Sequence, residues 1–402
     1  MKSTKIEFEN DKGQKLAARI DNPVGGNPKA YAVFAHCFTC SKNLHTVTNI
    51  SKSLTQSNIA VFRFDFTGLG ESEGDFEDTD FSSNVEDLIC AINFVENNYQ
   101  SPQILIGHSL GGAAMVKAAA VYGKASALVT IGAPADPQHV EHLLEKKLDE
   151  IKEKGKAKIT IAGRTFTIKK IFLEDIRNNR LTKSLKIIDA AVLIMHSPVD
   201  KVVEIDNATH LYKKARHPKS FISLDKSDHL LSRQEDSEHA GQLIATWADK
   251  YLNISPESKL VPAKQVAART GTGLATEIAT MDHSLWADEP VDQGGTNAGP
   301  SPYDLLAAAL ASCTSMTIRM YADRKKWPLE EVTVHVEHKR DHVADCNTCE
   351  SKDQKVDIFT RWIETEGDLE ENQKQKLLEI ANKCPVHRTL SAVIRIETKM
   401  NG

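Results

Sequence analysis

Aromatic side chains are scarce in this chain, 6% of 402 residues, and neither sign of charge prevails: 50 Lys and Arg face 55 Asp and Glu, a formal net charge of −5. Such a balance offers no electrostatic footprint for nucleic acid or for an anionic membrane, so neither is expected as a partner. Long apolar runs are missing as well, and no window reaches the length that spans a bilayer. The opening stretch, residues 1–9, lacks the apolar core of an export signal. Cysteine is sparse and odd in number, seven in all. Together with the missing signal this predicts reduced thiols in a cytoplasm, some of them chemically active. Internal repeats and low-complexity tracts are not evident. What remains suits a soluble globular enzyme.

The length allows two or three domains. Apolar runs at residues 31–35, 59–64, 103–106, 127–131, 190–195 and 220–224 alternate with helical patterns such as 84–95. Near-continuous apolar strands joined by crossover helices predict an α/β unit: a mostly parallel sheet covered on both faces. Residues 137–185 break the rhythm with a charged helix over 139–154 and a two-strand pattern turning at Gly163. An insertion near the strand C-terminal ends is where a lid over a site would sit. A helix at 240–251 closes the unit, and the segment after it, with Pro256 and Pro262 and no periodicity, marks a linker. Strands grouped apart from helices follow, the pattern of an α+β domain. The expected division is a first domain over 1–254, a linker over 255–265 and a second domain over 266–402.

One stretch carries the chemistry of the first part. The apolar strand at 104–106 runs into Gly107-His108-Ser109-Leu110-Gly111 and then into a small-residue helix. This strand, sharp turn and helix form a nucleophile elbow that presents the serine hydroxyl above the sheet edge. A serine needs a base, and the base needs an orienting acid. In this topology the acid precedes the histidine, each on a loop after a strand. Asp200 follows the strand at 190–195, and His229 follows the strand at 220–224. Ser109 is therefore expected as nucleophile, His229 as general base then acid, and Asp200 as the orienter of its ring. His196 is expected as a packed loop histidine, Asp228 in a turn or backbone bond, and His108 in packing or a lid contact. The oxyanion needs two backbone N–H donors, one from Leu110 and one from the loop His36-Cys37-Phe38-Thr39, with Phe38 preferred over Cys37. Cys37 and Cys40 are expected as partly buried thiols, with redox or metal roles as the alternatives. The glycine-rich loop at 65–72 lacks the Lys-Ser/Thr of a phosphate loop and is a structural turn bordering the pocket. These roles call for no cofactor and no metal.

The second part holds a long helix from Pro300-Ser301-Pro302 with Cys313 on its alanine-rich face, and a later helix ending at Cys384-Pro385-Val386-His387. Two such cysteines serve either as attacking and resolving thiols or as buried apolar residues. Cys346 and Cys349, downstream of His338 and His342, read as a surface thiol pair or redox disulfide, with zinc as the alternative.

Over nearly its whole length the chain resembles the bifunctional α/β-hydrolase–OsmC family. The likeness lies in the segments at 36–42, 63–72, 107–112 and 227–231, and in the second part at 287–290, Gly294-Gly295, 300–313 and 384–390. The resemblance implies an α/β-hydrolase fold with a small cap, followed by an α+β OsmC-like domain. It implies a thiol peroxidase fold that forms an intertwined homodimer with sites at the subunit interface. Cys313 matches the peroxidatic position and Cys384 the resolving one. Arg269, on an early strand, is the candidate for the arginine that activates the thiol. Tyr303 stands where active peroxidases carry a glutamate, with Asp304 beside it. The expected function is a serine esterase acting on small acyl esters, fused to a domain for dimerisation and for reduction of organic hydroperoxides with a dithiol reductant. The alternatives are a hydroperoxide reductase whose hydrolase part only binds substrate, and a non-catalytic thiol- or metal-binding interaction protein.

Overall fold

A computed structural model describes residues 1–24, 26–161, 164–254, 260–271, 273–342 and 355–400 of the chain, which divides into two units, Met1–Ser284 and Leu285–Gly402.

The first unit is organised by an eight-stranded sheet. Its strands are β1 (Lys2–Glu9), β2 (Lys15–Asn22), β3 (Ala30–Ala35), β4 (Ile59–Phe64), β5 (Ile104–His108) and β6 (Ala127–Ile131). The chain then leaves the sheet for a hairpin, β7 (Lys156–Ile161) and β8 (Arg164–Lys169), and returns as β9 (Ala191–His196) and β10 (Lys219–Ser223). The sheet order is β1-β2-β4-β3-β5-β6-β9-β10, parallel from β4 to β10. All residues of β3, β4, β5, β6 and β9 are buried, which is why their sequences are apolar without alternation. Successive side chains still serve opposite faces. Val33, Phe62, Phe64 and Leu105 enter one core, with helices α2 (Phe81–Asn98) and α3 (Leu110–Tyr122). Phe34, Val61, Ile104 and Ile106 enter the other, with α1 (His45–Gln56) and α8 (Gln234–Asp249).

Two strands were not foreseen. β1 and β2 form an antiparallel hairpin at the sheet edge, and β2 pairs antiparallel with β4. β1 buries little besides Phe8 and carries charges on its exposed positions, a pattern that blunts an open edge and hides the strand from an apolar search.

The insertion between β6 and β9 contains α4 (Leu148–Lys154), the β7–β8 hairpin, α5 (Lys170–Asn178) and α6 (Thr182–Ile187). The single helix expected over 139–154 is instead a 3₁₀ segment, Pro137–Lys147, followed by α4. Three residues per turn bring His139 and His142 to one side. Both rings reach the Val202 carbonyl, at 3.3 and 3.1 Å. α7 (Asp206–Lys214) connects β9 to β10, and a short hairpin, β11 (Ala267–Thr270) with β12 (Thr276–Ala279), lies near the end of the unit.

Strand β13 (Ser284–Ala287) begins at the last residue of the first unit, and the second continues with α9 (Pro302–Lys325), the antiparallel pair β14 (Glu331–His342) and β15 (Lys355–Glu366), α10 (Glu371–Ala381) and α11 (Pro385–Leu390). Against expectation, α9 is long and apolar enough to cross a membrane by length and composition alone. The core of the second unit is Ile318, Ala322, Leu329, Leu369, Leu377 and Ala381. The order of short strands, long helix, strands and helix read from the second part also predicts a final strand at the C-terminus, and this strand does not form: residues 392–400 hold no ladder, and Val393, Ile396 and Met400 are exposed. An extended segment becomes a strand only when another edge pairs with it.

Candidate active site

β5 ends at His108, α3 begins at Leu110, and Ser109 between them has φ +56° and ψ −129°. A non-glycine residue in such a conformation costs about 1–3 kcal/mol and persists only when its surroundings impose it. Here they do. The Ser109 N–H donates to the Ile131 carbonyl at 2.8 Å, and the Gly112 N–H donates to the Ser109 carbonyl at 2.9 Å. Gly111 sets the next contact: a Cβ there would lie 2.2 Å from the His36 carbonyl oxygen. The missing side chain lets the first turn of α3 sit directly on the loop that follows β3.

Asp200 and His229 lie on the loops after β9 and β10, at the same edge of the sheet. The His229 Nδ1–H donates to Asp200 Oδ2 at 2.7 Å, and the Ser109 hydroxyl donates to His229 Nε2 at 2.9 Å. A carboxylate only accepts, so it fixes the proton on Nδ1 and leaves Nε2 free to take the serine's. Gly132, just after β6, has φ +52°, a left-handed conformation that glycine adopts without strain, and it passes beside Asp200 Oδ2 and His229 Nδ1. Asp200 Oδ1 accepts from the N–H groups of Val202 and Val203 at 2.8 and 2.9 Å. Burial pushes its carboxyl pKa up, but the bonds from His229, Val203 and Val202 outweigh that and hold it below the ordinary value. The sequence thus places three distant residues in one unbroken relay.

The neighbouring polar residues have other partners. His196 is fully buried, and its Nε2–H donates to the Val203 carbonyl at 2.7 Å. Asp228 Oδ1 accepts from the Ser232 N–H at 2.7 Å. The His108 Nε2–H donates to the His229 carbonyl at 2.7 Å, steadying the backbone of the base. His36 donates from Nδ1 to the Cys37 carbonyl at 2.8 Å. The second ring nitrogen of His36, His108 and His196 is buried with no hydrogen-bond partner among the described residues. All three are therefore neutral, and burial is the main cause that drives their pKa values down, that of His108 to about 3.

The unfolded chain binds protons on these rings that the folded one refuses, so stability is full above pH 6.5 and drains away as the pH falls through the folded value, about 3 for His108. The slope is at most about 1.4 kcal/mol per pH unit for each ring. Asp200 adds to the loss only below its ordinary value of 3.8. Urea unfolding is expected to show a lower midpoint at pH 5 than at pH 7, and His108→Gln a shallower difference. Equal midpoints would mean that the rings are solvated.

The loop after β3 differs from expectation. Cys37 and Cys40 are not free thiols but a disulfide. The Cys40 N–H donates to the Cys37 carbonyl at 3.1 Å, and this turn brings the two Cα atoms to 5.3 Å, within bonding range. Phe38 and Leu110 line one small cleft with His36, Phe66 and Leu69. The Phe38 ring stacks on Phe172 of α5 at 5.3 Å and lies 5.5 Å from Phe76, which lies 5.0 Å from Phe166 of β8. The insertion therefore rests on the loop expected to supply an oxyanion donor.

In the second unit Cys313 is half-buried on α9, and Cys384 is fully buried as the N-cap of α11. The His387 N–H donates to Cys384 Sγ at 3.2 Å, and Thr314 Oγ1 lies 3.6 Å away. Burial pushes the Cys384 pKa up; hydrogen bonds from His387, Thr314 and Cys313, together with the Arg361 charge, bring it below the ordinary thiol value. The sequence did not single out Arg361. Its guanidinium donates to Thr314 Oγ1 at 2.9 Å, the Ala381 carbonyl at 3.0 Å and His387 Nδ1 at 3.2 Å. Only its register offered a signal, since Phe359, Arg361 and Ile363 share the less exposed face of β15. Arg269, the expected activating residue, pairs with Glu277 across β11 and β12 at 2.7 Å. Asp304 is engaged in the cap of α9, where it accepts from the Ser301 N–H at 2.9 Å and the Ser301 hydroxyl at 2.8 Å. Tyr303 stacks on His338 at 4.4 Å. Cys346 and Cys349 lie outside the described residues.

Known proteins share both parts of the chain. A family model described as serine aminopeptidase, S33, matches residues 26–167, and one described as OsmC-like protein matches residues 295–399. The solved esterase domain of a Rhodothermus marinus protein is similar at 46% identity and a TM-score of 0.53, over 63% of this chain and 100% of its own. Rat monoglyceride lipase is 34% identical over 113 residues, 28% of this chain and 36% of the lipase. Mouse palmitoyl-protein thioesterase ABHD10, mitochondrial, is 27% identical over 206 residues, 49% of this chain and 68% of the thioesterase. The chain thus spans about a third of the length of the first of these curated relatives and about two thirds of the second.

Proposed function

Because the chain belongs to the α/β-hydrolases and carries an OsmC-like domain behind the hydrolase part, we propose that it cleaves small carboxylic esters through an acyl-enzyme on Ser109. The observation that carries this is the relay from Ser109 through His229 to Asp200, with the serine held in the elbow conformation. As Ser109 Oγ attacks the ester carbonyl, His229 Nε2 takes its proton, and Asp200 stabilises the imidazolium that results. The N–H groups of Leu110 and Phe38 receive the oxyanion. His229 then protonates the departing alcohol, and water repeats the sequence on the acyl-enzyme. Thioesters meet the same steps with a better leaving group. A panel of p-nitrophenyl esters of increasing acyl length, run on wild type and Ser109→Ala, tests the activity and reads out the acyl preference. Fluorophosphonate labelling separates the rival: a Ser109 that takes no label at neutral pH leaves the hydrolase part as a binding module.

The cluster at Cys384 supports a second activity, reduction of organic hydroperoxides. The Cys313 thiolate attacks the peroxide oxygen, releases an alcohol and becomes a sulfenic acid. The Cys384 thiolate then attacks the Cys313 sulfur, water leaves, and a dithiol reductant reopens the disulfide. A sulfenic-acid trap is expected to mark Cys313 after brief peroxide treatment of Cys384→Ser. Marking of Cys346 or Cys349 alone excludes the assignment. A second copy of the chain would cover the apolar side chains left exposed on the second unit, Met316, Met320, Val393 and Ile396 among them.

A further inference from the structure

The loop from His36 to Lys42 is fixed at both ends by contacts that involve no thiol. At its start, the first turn of α3 is seated on the His36 carbonyl. At its end, the Lys42 N–H donates to Asp65 Oδ1 at 2.6 Å, and its buried ammonium is bonded to Asp65 and, at 2.8 Å, to Glu71. Arg63, itself paired with Asp21 at 2.6 Å, donates to the Lys42 carbonyl. Between these anchors lie Phe38 and Thr39, and the disulfide closes a ring around them. Thr39 has φ +64°, a conformation that a residue with a Cβ seldom adopts unaided. Two carbonyls in the ring are occupied: that of Cys37 accepts from His36 Nδ1–H and the Cys40 N–H, and that of Phe38 accepts from the Thr39 hydroxyl at 2.6 Å. The Phe38 N–H has no acceptor among the described residues, and Phe38 shares its cleft with Leu110. A bonded ring thus holds the Phe38 N–H free beside the elbow.

We propose that the Cys37–Cys40 bond is the positioning element for the Phe38 N–H, so that ester turnover depends on the oxidation state of this pair. The inference rests on the proposed esterase chemistry. A dithiol attacks one sulfur of the bond and releases the other as a thiolate, its second thiol then attacks the mixed disulfide and expels the remaining protein thiolate, and two protein thiols and a cyclic disulfide result. Thr39 then relaxes from its left-handed conformation, and the peptide between Cys37 and Phe38 turns with it. Because the N–H meets a full charge only in the transition state, its loss lowers kcat and leaves KM nearly unchanged. Complete loss of one such donor costs about 10²–10³-fold in kcat, so loosening one is expected to cost about tenfold or more.

The test uses the full chain, purified without reductant, then treated with dithiothreitol and passed through gel filtration in oxygen-free buffer before assay on p-nitrophenyl acetate. Alkylation and mass analysis of a parallel sample establish that Cys37 and Cys40 have been reduced. The expected result is a fall in kcat at constant KM, recovery on reoxidation with diamide, and fluorophosphonate labelling of Ser109 that is slower but still goes to completion. Cys40→Ala is expected to start at the reduced level and to ignore dithiothreitol. Equal kcat in the two oxidation states overturns the proposal, as does a fall in kcat together with a rise in KM and a lower melting temperature, which marks a merely structural bond. Absence of Ser109-dependent turnover in the oxidised protein overturns the esterase assignment itself, and this inference with it.

Discussion

Ser109→Ala is expected to lower kcat for p-nitrophenyl esters by about 10⁶-fold, with the melting temperature within a few degrees of wild type. The size follows from the chemistry: without the oxygen no acyl-enzyme forms, and what remains is water attack assisted by the oxyanion donors, about 10³–10⁴ above the uncatalysed rate. The fold should tolerate the change. Ser109 is held by backbone bonds, from its N–H to Ile131 and from Gly112 to its carbonyl, and alanine keeps both. Removing the hydroxyl costs only its bond to His229. Turnover that survives in the variant, measured with active-site titration to exclude contaminating hydrolase, would place the nucleophile elsewhere.

Asp200→Asn is expected to cost about 10⁴-fold in kcat while leaving the loop intact. The asparagine oxygen can keep the bonds from Val202 and Val203 that now reach Oδ1. Its amide nitrogen, however, faces His229 where Oδ2 accepted, and a donor there forces the imidazole proton onto Nε2. That nitrogen then points a hydrogen at the Ser109 oxygen and can no longer take one. His196 supplies the contrast. Although 3.7 Å from Asp200 Oδ2, it spends its Nε2–H on Val203, so His196→Gln is expected to change kcat by less than about tenfold. A similar loss in both variants would mean that the carboxylate acts on the two rings alike.

The elbow and its partners were legible because each lies within a few residues of an apolar strand, and strand ends in a parallel sheet fall at one edge. The order of Ser109, Asp200 and His229 then followed from topology alone. The β1–β2 hairpin was not legible, since a charged edge strand has no apolar run to detect. The final strand was over-read because alternating apolar residues signal a strand only where a partner edge exists. The spacing at Cys37 and Cys40 is the same for two thiols and for a bond; the turn between them decides. Arg361 belongs to no motif and becomes visible only when the register of β15 turns it toward Thr314.

The stack of Phe172 on Phe38 ties the insertion to the loop after β3. On the proposed esterase chemistry, a substrate that entered by raising the insertion would also take the ring away from the peptide proposed to meet the oxyanion. Entry and readiness would then exclude one another in time, and the insertion would have to settle again before chemistry. An alcohol portion bulky enough to prop it up would occupy the enzyme without reacting, a competitive inhibitor made from an ordinary ester.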